Sequence, residues 1–154
     1  MKMYTDNDED LPLKIILVPL DGSEWSFRAA KYATKIAKMA NAEVVCTHAV
    51  ANPPYTAYAY AGVLLPQYIE EAKNEAQKWY DEVKAIAEKS GVKINAETIL
   101  NVFSVADAII SYVEKNNIDL IIMGTKGEDR PGKVSPWKCS KRCDITCQMP
   151  GPGC

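Results

Sequence analysis

No apolar run in the chain approaches the roughly 18–20 residues of a membrane span, so no spanning helix is expected. The opening MKMYTDNDEDL is acidic and has no apolar stretch, which speaks against a secretory leader. Neither sign of charge dominates. Eighteen basic residues against 20 acidic ones leave a net charge of −2, which argues against a dedicated nucleic-acid binder. Histidine occurs once, at His48, and no nucleophile elbow accompanies it, so a His-dependent triad is not expected. GxxxxGK[ST] and GxGxxG are both absent, which excludes a P-loop and the common dinucleotide fingerprint. The cysteines form no CxxC pair. Cys139, Cys143, Cys147 and Cys154 are spaced x3, x3, x6, looser than zinc sites use, so no structural metal is expected. There is no internal repeat.

What remains is ordinary for a globular protein: 154 residues, about half of them apolar and a quarter charged, enough for one core. The organisation shifts twice. Residues 1–10 read as a flexible acidic tail, 11–127 as one domain, and 128–154 as a Cys-, Pro- and Gly-rich tail. From Gly127 onward only Val134, Ile145 and Met149 come from the Val/Ile/Leu/Met/Phe set, too few for a buried strand or a core helix.

Between Leu13 and Gly124, strand-like and helix-like stretches alternate. LKIILVPL (13–20) is almost continuously apolar, as a strand covered on both faces must be. DGSE (21–24) offers Asp21 or Ser23 as cap for a helix over 24–40, with Ala30, Ala33, Ile36, Ala37 and Ala40 on one stripe. EVVCTHAV (43–50) is a second strand, with Cys46 a buried thiol and His48 a packed residue. A Pro- and Tyr-rich loop follows, whose Tyr55, Tyr58 and Tyr60 either line a ligand or pack on each other. Ile69, Ala72, Ala76, Trp79, Tyr80, Val83, Ile86 and Ala87 recur at helical spacing over 67–89, and Gly91 supplies a left-handed cap. KINAETIL (93–100) alternates as a third strand. Ser104 caps a helix over 105–116 with Val105, Ile109, Tyr112 and Val113 inward, and DLIIMG (119–124) is a fourth strand.

This βαβαβαβ order predicts an α/β fold with a doubly wound parallel sheet. Ligands of such sheets sit beyond the carboxyl ends of the strands. The loops to inspect are therefore Pro19–Ser23, Ala49–Pro54 and Gly124–Gly127. Asp21 can cap a helix, accept from a ribose or adenine, or coordinate a metal. The GxxG of Gly124–Gly127 can be a plain turn or can bring backbone amides to phosphate oxygens.

KIILVPLDGSEWSFRAAKYATKIAKMANAEVVCTHAV followed by NVFSVADAIISYVEKNNIDLIIMGTKG closely resembles the universal stress protein family over about 13–127. The resemblance implies a Rossmann-like five-stranded parallel fold, ATP (or AMP or ADP) as ligand with Mg accompanying it, a homodimer and a cytoplasmic stress-response role. It places adenosine near Pro19, Leu20, Asp21, Ala49 and Met123, with phosphates admitted by Gly124 and Gly127. With no base, arginine finger or paired acids in view, any ATP hydrolysis is expected to be slow. A phosphoacceptor receiver domain would need further acids beside Asp21, which the strand ends do not supply. The alternative within the family is a member that binds no nucleotide and works through protein partners.

The family signature G-x2-G-x9-G-[ST] breaks at Trp137-Lys138, and the Val-rich fifth strand is missing, replaced by CQMPGPGC. This leaves the fourth strand's edge open and family-type dimerisation in doubt. The tail reads as a frameshift. Trp137-Lys138 must be encoded TGG-AAR, which one base later gives glycine at the signature position. Met149-Pro150 must be ATG-CCN, which one base later gives the cysteine that precedes the family's last strand.

Overall fold

The structure, a computed structural model, describes residues 13–51, 64–124 and 145–148. The acidic segment 1–10, Tyr55, Tyr58, Tyr60, Gly127, Trp137-Lys138, Cys139, Cys143 and Cys154 lie outside the described residues.

The elements follow the expected order: β1 (Ile15–Pro19), α1 (Glu24–Ala40), β2 (Glu43–Ala51), α2 (Leu64–Glu88), β3 (Ile94–Val102), α3 (Val105–Asn116), β4 (Leu120–Gly124) and β5 (Ile145–Gln148). The sheet runs β3-β2-β1-β4-β5. The first four strands are parallel, with Leu17 opposite both Val45 and Ile121.

One expectation needs correction. The parallel fifth strand is indeed replaced, but the edge of β4 is not open. β5 runs antiparallel along it, with Gly124 opposite Ile145 and Ile121 opposite Gln148. Its four residues ITCQ contain neither Pro nor Gly. An antiparallel neighbour also needs no crossover helix, so a short segment can pair where a parallel strand could not.

Burial divides the sheet into two faces. Ile16, Val18, Leu20, Val44, Cys46 and Ile122 point to α1 and α2 and pack with Ala29, Ala30, Ala33, Ala37, Ala76, Tyr80 and Val83. The small side chains of α1 let its backbone approach the sheet closely. Leu17 and Val45 point the other way, against Ile109 and Val113 of α3. Two residues assigned inward by periodicity are exposed instead. Ala40 lies in the last turn of α1, and Val105 is the first residue of α3, where a helix end overhangs its support.

The helix ends obey local chemistry. Ser23 caps α1 by accepting from Ser26 N–H, and Ser104 caps α3 by accepting from Asp107 N–H. Asn41 and Asn117 close the same helices in the left-handed region, as Gly91 does after α2. At the start of β1, Asp119 Oδ2 accepts from the backbone N–H of Lys14 and Ile15, both at 2.9 Å, and ties the strand entrance to β4.

Candidate functional site

The carboxyl ends of β1, β2 and β4 form one rim. Leu17 and Val45 face α3, so alternation puts Pro19 and Ala49 on that same face. Met123 packs with this cluster, and continuing the Leu17–Ile121 register sets it level with Pro19. All three side chains are half-buried. They form an apolar strip across adjacent strand ends. Next to it, β2 is irregular between Ala49 and Ala51, a bulge of the kind that redirects a strand at a site's edge.

The other expected residues behave differently. Leu20 is buried on the opposite face, in the core with α1 and α2. Its N–H donates to Thr47 O at 2.7 Å, and its carbonyl accepts from the His48 ring at 2.8 Å. Leu20 therefore forms the floor of the turn. Asp21 is half-buried just beyond the rim, and its Oδ1 accepts from Ser23 N–H (3.0 Å) and from Ser23 Oγ–H (2.6 Å). The carboxylate thus shapes the turn that Ser23 ends as the helix cap, so the two candidate caps act in series.

Gly124 has a packing duty at the end of β4. A Cβ there would lie 2.9 Å from the carbonyl carbon and the Cβ of Trp25. The missing side chain is what lets the first turn of α1 close on β4. That turn brings the positive end of α1 to the rim, and the Arg28 guanidinium lies 5.0 Å from the Trp25 ring. The structure therefore brings Pro19, Asp21, Ala49, Met123 and Gly124 to one end of the sheet, with Leu20 beneath.

Three residues that sequence reasoning did not join meet at the same turn. Gly22 has φ +80°, and a Cβ on it would come within 2.4 Å of Trp79 Cζ2. The Trp79 ring stands edge-on to His48, centroids 5.0 Å apart and planes at 88°. The sequence signal was available in part: a glycine inside DGS, a polar ring at a strand end and an indole on the apolar stripe of α2.

Three further titratable groups are shifted, chiefly by burial. Burial pushes the Cys46 thiol up to about 12, which makes it inert. Burial also raises the Tyr80 hydroxyl, which donates to Glu97 O at 2.8 Å. Tyr112 is raised further, first by desolvation and then by its hydrogen bond to Glu97 Oε2 at 2.8 Å. Two surface depressions, of about 280 and 670 Å³, lie at the opposite pole around Glu43, and none of the rim residues lines them. Among the described residues, no group of three or more His, Cys, Asp or Glu is placed to hold a metal ion. No helix among them is long and apolar enough to cross a membrane.

Comparison with known proteins agrees with this architecture. The universal stress protein family model matches residues 12–135. Universal stress protein MJ0531 of Methanocaldococcus jannaschii is 40% identical over 124 residues, covering 79% of this chain and 69% of that protein. Universal stress protein YxiE of Bacillus subtilis is 30% identical over 118 residues, covering 73% and 78%. Among solved structures, a universal stress family protein from Burkholderia pseudomallei superposes with a TM-score of 0.63 at 25% identity, over 75% of this chain and 83% of that one. One from Archaeoglobus fulgidus, in complex with dAMP, gives 0.54 at 18% identity, over 73% and 80%. The order of elements and the sheet define an α/β protein of the Rossmann-like type. The chain belongs to the universal stress protein family.

Proposed function

We propose that this protein binds an adenine nucleotide at the C-terminal rim of its sheet and acts as a stress-response regulator or binding module. The observation that carries the reading is the strip of Pro19, Ala49 and Met123 on one face, with the Asp21 carboxylate just beyond it. An apolar strip suits a purine, and a carboxylate accepts from ribose hydroxyls or an exocyclic amine. Phosphates would extend toward Gly124 and Gly127, past the positive end of α1. Magnesium would arrive with the phosphates rather than with protein ligands. The dAMP held by the Archaeoglobus fulgidus relative is in keeping with an adenylate on this fold.

The tail decides which nucleotide is favoured. In place of the signature's Gly-Ser stands Trp137-Lys138, so two hydrogen bonds to the terminal phosphates are lost. Each such bond contributes about 1.5–3 kcal/mol, so ATP loses on the order of a hundredfold or more in affinity. Calorimetry on the full chain should therefore give weak and comparable binding of AMP and ATP, with Asp21→Ala weakening both. No heat with any adenylate would overturn the reading. Any ATP hydrolysis should be slow, because the rim's carboxylate is already engaged by Ser23 and is not free to act as a base. The frameshift origin of the tail is tested by the coding DNA, where codons incompatible with the shifted Gly and Cys would end it.

The second reading, a member that acts through protein partners and binds no nucleotide, draws on a specific feature. Phe103 is 97% exposed beside Val105, with Ile110 also exposed on α3. Family-type dimerisation through the last strand is not carried over, because β5 is short and reversed.

A further inference from the structure

Three elements converge on the turn that carries Asp21. The His48 ring on β2 reaches the Leu20 carbonyl oxygen at 2.8 Å. A carbonyl oxygen only accepts, so Nδ1 carries the proton and Nε2 is the acceptor of the neutral ring. The edge-on contact of this ring with Trp79 fixes its tilt, and Trp79 in turn lies against Gly22. Leu20 is thus held from one side of Asp21 and Gly22 from the other. All of this lies on the α1 and α2 face, behind the Pro19–Ala49–Met123 strip.

We infer that His48 and Trp79 are positioning residues for the nucleotide site: a brace from α2 through β2 that sets the Leu20–Gly22 backbone and so aims the Asp21 carboxylate. The inference rests on the adenine-nucleotide reading and adds residues that do not themselves touch ligand. Pro19 is conformationally limited by its ring, and Ser23 is fixed by the α1 cap. Leu20, Asp21 and Gly22 span the turn between them, and the brace adds to the Ser23 contacts of the Asp21 carboxylate by holding this backbone before ligand arrives. Preorganisation of this kind strengthens binding by lowering its ordering cost.

The chain has a single histidine, so one imidazole signal in nitrogen NMR reports His48 unambiguously. The free protein should already show the Nδ1–H tautomer, and titration with AMP should leave the ring in that tautomer at full occupancy. His48→Leu should weaken AMP by about tenfold. His48→Asn, whose amide nitrogen can donate from nearly the Nδ1 position, should restore most of the loss. A purely structural histidine would not give rescue of affinity by the donor. An Nε2–H tautomer in the free or the AMP-bound protein, or unchanged AMP affinity in His48→Leu, would each overturn the brace. The ring measurements need no variant, so they decide the matter even where His48→Leu fails to fold. Wild-type protein that binds no adenylate overturns the nucleotide reading itself, a result separable from any of these.

Discussion

Replacing Gly22 with alanine tests the geometry of the rim turn most directly. Two costs add at that position. With φ at +80°, an L residue loses about 1–2 kcal/mol relative to an ordinary backbone region. The new methyl would also sit 2.4 to 3.1 Å from three atoms of the Trp79 ring, so the indole must move. Overpacking of that kind costs about 1–3 kcal/mol. Alanine narrows the unfolded ensemble and returns about 0.4–1 kcal/mol. The net loss is about 1–4 kcal/mol, a large share of the roughly 5–15 kcal/mol that holds a domain folded. Urea unfolding under reducing conditions should show a midpoint lower by roughly 0.5–2 M with unchanged slope. The control is the same substitution in a Trp79→Ala background. There the steric cost disappears and only the backbone cost remains, about 1 kcal/mol after the unfolded-state return. A coupling of about 1–3 kcal/mol between the two positions is therefore expected. Equal cost in both backgrounds, or a loss below 1 kcal/mol in the wild-type background, would refute the contact.

Other expectations follow from the same structure. Gly124→Ala should destabilise by about 1–3 kcal/mol, because its Cβ meets backbone of Trp25 that cannot swing aside, and thermal unfolding will show it. Cys46, with its thiol raised to about 12, should stay unmodified by iodoacetamide at pH 8 in the folded protein and react on unfolding, as peptide mass mapping resolves. Tyr80 and Tyr112 keep their protons more tightly folded than unfolded, so their contribution is complete below about pH 10 and declines as pH rises past that value. Urea midpoints should fall in that range, and fall less steeply in the Tyr80→Phe/Tyr112→Phe protein.

Local pattern made most of the scaffold legible. The apolar run ending in Pro19 fixed a strand buried on both faces, and the serines at 23 and 104 marked helix starts that the structure reproduces. What stayed hidden depends on distance in the chain. Nothing near Gly22 announces that an indole 57 residues later lies against it, since that neighbour is chosen by how α2 packs. Gly124 looked like a loop glycine open to ligand, whereas the approach of α1 uses its missing side chain. Ile145–Gln148 was unreadable as a strand because surrounding Gly and Pro masked four compatible residues, and because its reversed direction follows from pairing with β4 rather than from composition.

The reversed direction of the last strand also bears on how the molecule opens. Four parallel strands pack against α1 and α2 on one face and α3 on the other, while among the described residues β5 is joined to them by a four-residue ladder with β4. That ladder can detach as its own small cooperative unit without disturbing the strands that carry the rim. Amides of β4 that face it should exchange with deuterated solvent long before those of β1, and the difference measures how lightly the terminal segment is fastened.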